Sequence, residues 1–378
     1  MSNPLPLRPS TGRVLSMRVD LVLVVTTLVV AVLGVVFVYS ATRSKLLLAG
    51  VSPHYYLNRQ GAYVVVGVLV MAGLAALDYR WLEPVSKVLY VGIILALLAM
   101  FSPIGSRALG ATRWFQLGPV QLQPSAFATL VLIVMVASFC ARRPEGLEPL
   151  DLLKVLAIAA VPILLVIKQP DLGTGIVMSI VLLVMLVVAG IPNRYLILLL
   201  GAAVLGVFAI VHLGLLKPYQ VERLTGFLHQ NTQTQGSTYN LNQSVAAIGS
   251  GGTWGTGLFH GPQTNLSYVP EQQTDFIFSA VGEQLGFAGA ATVLVLLGLL
   301  SWRILHAAQT ARDPFGRLLA TGAFTLIAFS VFENAGMTMG IMPIAGIPLP
   351  FLSYGGSATV AFFAAVGLAL SVQLHHGR

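Results

Sequence analysis

Residues 236–285 read GSTYNLNQSVAAIGSGGTWGTGLFHGPQTNLSYVPEQQTDFIFSAVGEQL, and they form the one long break in an otherwise apolar chain. The stretch is rich in Gly, Gln, Asn, Ser and Thr and nearly free of charge until Glu271 and Asp275. A long loop in a compact protein is usually functional or disordered. Tyr239, Trp254, Phe259 and Tyr268 argue against disorder, which favours segments poor in aromatics. We therefore expect this loop to fold over a membrane surface and to present Asp275 at the lipid–water boundary.

The surrounding composition sets that expectation. The chain has 378 residues, 56% hydrophobic and 9% charged, with a mean hydropathy of +0.84. A soluble domain carries about 25% charged residues. So large a deficit cannot cover a water-facing surface, and the predicted fold class is an all-α polytopic membrane protein. A bilayer core needs about 20 apolar residues as helix. On that ruler ten spans are expected, near 20–41, 59–77, 84–102, 123–141, 152–168, 173–190, 194–213, 275–301, 316–342 and 350–373. They make a single domain, 20–373, with a large extracytoplasmic loop at about 214–274 between spans seven and eight. Residues 1–19 and 374–378 are expected as cytoplasmic tails, and no internal repeat is visible at a fixed period.

The formal net charge is +8 and the pI about 9.8. In a membrane protein this reflects the positive-inside bias and attraction to anionic headgroups. No dense Lys/Arg run points to nucleic acid. With Cys140 alone, neither an intramolecular disulfide nor a cysteine metal site can form. An inside amino terminus places thirteen of the 21 basic residues on the cytoplasmic side and eight outside. This modest bias leaves cations at the outer face, where they can meet an anionic headgroup.

Several polar residues stand out against the apolar background. The third-to-fourth loop, SPIGSRALGATRWFQLGPVQLQPS, holds Arg107, Arg113 and Trp114 among glycines and suggests a re-entrant binding loop. Trp114 read alone is equally an interfacial belt residue. The fifth span ends in KQPDLGTG, so Lys168 and Asp171 are functional candidates at membrane depth, or a pair that satisfies itself. Lys217 and Arg223 precede the Gly-rich loop, and a guanidinium can hold two phosphate oxygens at once. GSGGTWGTG lacks the Lys–Ser/Thr ending of a phosphate-binding P-loop, and no HEXXH, paired zinc ligands or Ser–His–Asp order is present. Asp275, at the start of span eight, could simply cap the helix. Glu283 follows eight residues on, about 80° around an ideal helix, so the two acids could face one cavity. Glu333 lies mid-span beside Asn334 and should pair or line water. Pro348 and Pro350 suit the start of the last helix.

Taken in order, RALGATRW, QPS, KQPDLGTG, NQSVAAIGSGG, GPQTNLSYVPEQQTDFIF, GEQLG and PLPFLSYGGSA resemble the SEDS (shape, elongation, division, sporulation) family. The wording GLFHGPQTNLSYVPEQQTDF and ENAGMTMGIMPIAGIPLP is more similar to its RodA elongation branch than to its FtsW division branch. The resemblance implies a peptidoglycan glycosyltransferase of about ten helices. Such an enzyme polymerises lipid II at the outer face of the cytoplasmic membrane with a class B penicillin-binding protein and other elongation-complex membrane proteins. It implies Asp275 as the essential acid and Trp114 as a sensitive position. Two departures stand out. The family's PSE-x-x-K reads PSAFAT here, with Ala126 and Thr129 in place of Glu and Lys, and its EELG reads GEQLG's Glu283-Gln284-Leu285-Gly286.

Chain growth by this chemistry needs a base for a sugar hydroxyl, assigned to Asp275. It also needs cations for a departing diphosphate, with Arg113, Arg223, Lys168 and Lys217 as candidates in that order, and Arg107 beside them. A divalent cation such as Mg or Mn could do similar work, although no ligand cluster in the sequence demands one. The rival readings are a lipid II flippase or other transporter, the FtsW-type division paralogue of the same family, and a non-catalytic scaffold for a penicillin-binding protein.

Overall fold

The computed structural model describes residues 19–102, 106–108, 111–117, 120–143, 145–212, 221, 223 and 237–375. Seven helices come first: α1 Leu21–Leu48, α2 Tyr55–Ala76, α3 Leu82–Ala99, α4 Pro124–Ala141, α5 Pro149–Lys168, α6 Leu172–Val188 and α7 Asn193–His212. Two helices of the polar loop follow, α8 Ser237–Ser250 and α9 Pro262–Asn265. The chain closes with α10 Ile277–Thr310, α11 Pro314–Thr338 and α12 Gly356–His375. Eight helices are long and apolar enough to cross a bilayer, and Leu172–Val188 and Asn193–Gly206 are shorter apolar helices. Among the described residues, then, an apolar helix stands at each of the ten expected spans, and the protein is a multi-pass membrane protein. Lys217, Glu222 and most of residues 1–19 lie outside the described residues.

The bundle is centred on α11 and α12. The helix α12 packs on α2, α10, α11 and α4, while α11 packs on α10, α4 and α6. Both central helices bury most of their residues. By contrast α3 and α5 turn Val88, Val91, Leu95, Leu153 and Leu164 outward, as lipid-facing helices do. In lipid no water can satisfy a hydroxyl, so Ser and Thr return their protons to the helix one turn back. Thr27 bonds the Leu23 carbonyl at 2.7 Å, Thr325 that of Thr321 at 2.9 Å and Ser330 that of Leu326 at 2.7 Å. At the end of the bundle near the termini, Asp20 caps α1 through the Leu23 N–H at 3.0 Å and receives Arg303 Nη2 at 2.6 Å. One carboxylate thereby joins α1 to α10. Tyr79 donates to Asp313 and ties α2's end to the start of α11.

At the opposite end the Gly-rich loop enters the bundle. The helix α10 is broken at Gly286, whose φ of 65° and ψ of −166° are not helical. Residues 252–257 fill the break. Phe287 and Ala288 donate to the Gly252 and Thr253 carbonyls at 2.9 and 3.1 Å, and Thr256 and Gly257 donate to those of Glu283 and Gln284 at 3.0 and 3.1 Å. The loop thus takes up backbone groups that the helix break frees, which a membrane protein must do. A Cβ on Gly286 would lie 2.3 Å from the Gly255 nitrogen, so only glycine fits. The glycines of GSGGTWGTG and GEQLG therefore serve one crossing of two backbones.

Two local expectations change. The third-to-fourth loop holds a small antiparallel sheet, β1 Ser106–Ala108, β2 Ala111–Leu117 and β3 Val120–Leu122, where its glycines suggested only loop. In the backbone ladder Phe115 pairs with Leu122 and Leu117 with Val120, and Phe and Val are residue types that favour strands. The last helix begins at Gly356 and not at Pro350. Leu349 donates to Ser353 Oγ at 2.8 Å and Tyr354 to the Gln273 carbonyl at 2.7 Å, so residues 349–355 form a turn bound to the polar loop.

Candidate functional site

A cavity of about 670 Å³ opens at the end of the bundle that carries this loop. Its residues come from the starts of α4, α6 and α12, the turn before α10, the sheet, the 346–348 segment, α2 and the second half of α11. One side presents Glu271, Thr274, Asp275 and Arg223. Trp114 and Gln121 of the sheet line another part, and Gln123, Ala126, Thr129, Asp171 and Thr174 a third. Tyr63 and Tyr354 line the side towards α2 and α12.

The turn that carries Asp275 is fixed from several directions. Asn334 Nδ2 donates to the Asp275 carbonyl at 2.8 Å and to the Ile347 carbonyl at 2.7 Å. Gln272 reaches Ser279 at 3.0 Å and Thr264 at 3.2 Å. Val269 and Phe276 pack with Leu241, Ala247, Met337 and Ile344 into a small buried cluster of their own. Asp275 is not the helix cap. The residue before α10 is Phe276, and it makes no side-chain cap bond. The Asp275 carboxylate instead faces Gly346: a Cβ there would lie 3.2 Å from Asp275 Oδ2 and 3.4 Å from Arg223 Nη1. Gly346 has φ +71°, and Ile344 donates to the Arg223 carbonyl at 3.0 Å. The acid and the guanidinium therefore converge on one glycine.

Asp171 caps α6 and accepts Thr174 Oγ1 at 3.0 Å, Ser125 Oγ at 3.0 Å and Gln123 Nε2 at 3.2 Å. It is 5% exposed and joins α6 to the QPS segment that opens α4. The alternative of a self-satisfying pair with Lys168 is overturned. Lys168 ends α5, is exposed, stands 5.3 Å from the Phe101 ring centre, and is not among the residues lining the cavity. The turn at 169–170 separates the two side chains: Gln169 bonds the Leu97 carbonyl at 2.9 Å, and Asp171 swings towards α4.

Glu283 does not share the cavity with Asp275. It is fully buried and accepts Gln263 N at 2.6 Å, Thr264 N at 3.0 Å and Thr264 Oγ1 at 2.5 Å. A carboxylate at the start of α9 meets its free amides, so Glu283 anchors GPQTN to α10. The helical-wheel estimate failed because α10 starts at Ile277, after Asp275. Glu333 neither pairs nor lines the cavity. It is 3% exposed, and neither carboxyl oxygen has a hydrogen-bond partner among the described residues. The polar group beside it is the Ala345 N–H, which points towards the carboxyl group while it also bonds the Pro343 carbonyl at 3.0 Å. Arg107 and Arg113 stand on β1 and β2, and their side chains lie outside the described part. Among the described residues no three His, Cys, Asp or Glu side chains gather as a metal-ligand group.

In the sequence Asn334 stands out only as the neighbour of Glu333, and Tyr63 and Gln60 do not stand out. A buried amide in an apolar run was the available signal for Asn334. Nothing in the local sequence marks Tyr63.

Residues 20–377 match the model of the cell cycle protein family that groups FtsW, RodA and SpoVE. The chain belongs to this family. It is 35% identical over 357 residues to stage V sporulation protein E of Bacillus subtilis, covering 94% of this chain and 96% of that one. It is 37% identical over 324 residues to the peptidoglycan glycosyltransferase MrdB of Escherichia coli, covering 84% and 86%. Among solved structures it is similar to a chain of a peptidoglycan synthase complex, with a TM-score of 0.78 and 30% identity, covering 94% and 97%. It is also similar to RodA of Thermus thermophilus, with a TM-score of 0.68 and 29% identity, covering 93% and 95%.

Proposed function

We propose that this protein is a peptidoglycan glycosyltransferase of the RodA type, polymerising lipid II at the outer face of the cytoplasmic membrane during cell elongation. Both termini are then cytoplasmic, and a class B penicillin-binding protein is its partner among the elongation-complex proteins. The observation that carries the reading is the convergence of Asp275 and Arg223 in a cavity confined to one end of the bundle.

The step is a displacement at an anomeric carbon. The hydroxyl oxygen of one sugar attacks that carbon and forms the glycosidic bond, while its proton passes to the Asp275 carboxylate. The bond from the carbon to the lipid diphosphate breaks, and its electron pair leaves with the phosphate oxygen. A positioned base contributes about 100- to 10,000-fold. Arg223 offers two donors to the growing negative charge, and Arg113, beside Trp114 on the sheet, is the second cation. Trp114 bounds the cavity and limits water. Asn334 and Gly346 hold the base in place, since small misplacements are costly in rate.

A flippase needs a polar route from one side of the membrane to the other. Most polar cavity residues instead come from helix starts, turns and the sheet, with Ser330 and Tyr63 from inside α11 and α2, which favours chemistry at that end. The test uses liposomes with the purified protein and lipid II confined to the outer leaflet. Polymer formation is expected. Transfer of lipid II to the inner leaflet with no polymer, with and without the class B partner, would replace this reading with transport, and neither outcome would leave a scaffold.

A further inference from the structure

The aromatic side of the cavity has no part in the displacement step. Tyr63 of α2 and Tyr354 of the SYGG turn both line the cavity, with ring centres 6.2 Å apart and planes inclined at 54°. Tyr354 is held in place from behind. Tyr56 meets it edge-on at 4.8 Å, and the Arg59 guanidinium donates a hydrogen bond to its hydroxyl while lying 4.8 Å from the Tyr55 ring centre. Buried Gln60 fixes the same turn, donating to the Ser353 carbonyl at 3.3 Å and accepting the Gly355 N–H at 3.4 Å. The Tyr354 N–H bonds the Gln273 carbonyl at 2.7 Å, two residues before Asp275. The aromatic wall and the proposed base are therefore joined by one backbone hydrogen bond.

Three ligand classes could meet such a wall. A diphosphate needs available cations, and Arg59, the cation of this wall, is committed to Tyr354 and Tyr55. An acyl chain has no use for hydroxyl and amide groups, which Tyr354, Gln121, Gln123 and Thr274 place around the same cavity. A pyranose ring suits both features. Its C–H bonds carry slight positive charge and fit the electron-rich face of a phenol ring, while its hydroxyls take hydrogen bonds at the edge. Pockets that hold small polar ligands combine an aromatic lining with a few placed polar groups in this way.

We infer that Tyr63 and Tyr354 form a carbohydrate platform that holds a hexopyranose ring against the Asp275 turn. The identity of that ring rests on the glycosyl-transfer reading: it belongs either to the growing strand or to the lipid-linked monomer. Tyr63 acts through its ring face, so Tyr63→Phe retains the platform and Tyr63→Ala removes it.

The experiment has two arms on the full-length protein in nanodiscs. The first measures binding of a soluble β-1,4-linked N-acetylhexosamine tetrasaccharide, free of lipid and diphosphate, by saturation-transfer NMR and titration. The second measures kcat, KM and product length with lipid II. A tenfold or greater loss of tetrasaccharide binding in Tyr63→Ala, restored in Tyr63→Phe, is expected if the strand occupies the platform, together with shorter product. A tenfold rise in KM for lipid II in Tyr63→Ala alone, with the tetrasaccharide unaffected, assigns the platform to the monomer. Parental binding, KM and product length in Tyr63→Ala overturn the inference. Should the alanine variant melt at lower temperature, Tyr63→Leu replaces it in both arms. If the parental protein binds the tetrasaccharide through Tyr63 yet makes no polymer, the glycosyltransferase reading fails and the platform stands.

Discussion

Replacing Gly346 by alanine probes the geometry of the proposed base with a single methyl group. The perturbation has two parts. Gly346 has φ +71°, a region that costs an L-residue roughly 1–2 kcal/mol. The new Cβ would also lie 3.2 Å from Asp275 Oδ2, so the carboxylate must retreat by a few tenths of an ångström, and 3.4 Å from Arg223 Nη1, at the edge of ordinary contact. A cost of about 1–2 kcal/mol is within what a folded domain tolerates. The effect on catalysis should be larger, because the proposed base itself moves beside Arg223, and even part of a 1 Å displacement, which in full can cost about 100-fold, is felt in the rate. We expect Gly346→Ala to reach the membrane in normal amount, to melt a few degrees lower, and to polymerise lipid II about 10- to 100-fold more slowly. The assay is gel analysis of glycan made by purified protein with its class B partner. A parental rate with the methyl in place would refute the claim that Asp275 and Arg223 work as a unit across Gly346.

Further outcomes follow from the same geometry. Glu283→Gln keeps the side chain's size but weakens three bonds to residues 263–264. It should cost about 2–4 kcal/mol at roughly 1 kcal/mol or more per charged hydrogen bond, read as a lower melting temperature and faster proteolysis between α8 and α10. Lys168→Ala, outside the cavity, should leave the polymerisation rate within about twofold. Ala126→Glu alone places a second acid beside the cavity with Asp171 and should destabilise the protein. Adding Thr129→Lys should recover much of the loss, so a double-mutant cycle should give a favourable coupling of about 1–3 kcal/mol.

The ten apolar helices were legible because each is an apolar run, eight of them long enough to cross a bilayer, and lipid admits little else. The polar loop was legible as the exception. Its manner of insertion was not: the break at Gly286 depends on which distant backbone fills it, and apolar patterning carries no trace of that partner. The Asp275 cavity followed from a family resemblance and from polar residues at helix ends. Nearness in sequence misled for Lys168 and Asp171, because a two-residue turn sends their side chains to different neighbours. It misled again for Asp275 and Glu283, where a helical wheel was begun two residues before the helix. Glu283 belongs to α9's amides, a contact between segments about 20 residues apart. The sheet at 106–122 was hidden by its glycines, which read as loop until Phe115 and Leu122 are seen paired.

One measurement bears most directly on the whole account: the rate at which purified Asp275→Asn protein, with its class B partner, converts lipid II to glycan. The substitution preserves shape, and the Asn334 bond survives because it uses the Asp275 backbone carbonyl. A fall of about 100-fold or more at an unchanged melting temperature is expected from loss of the base. Polymer accumulating at the parental rate would mean that the proton leaves by another route and that the carboxylate facing Gly346 has some other task.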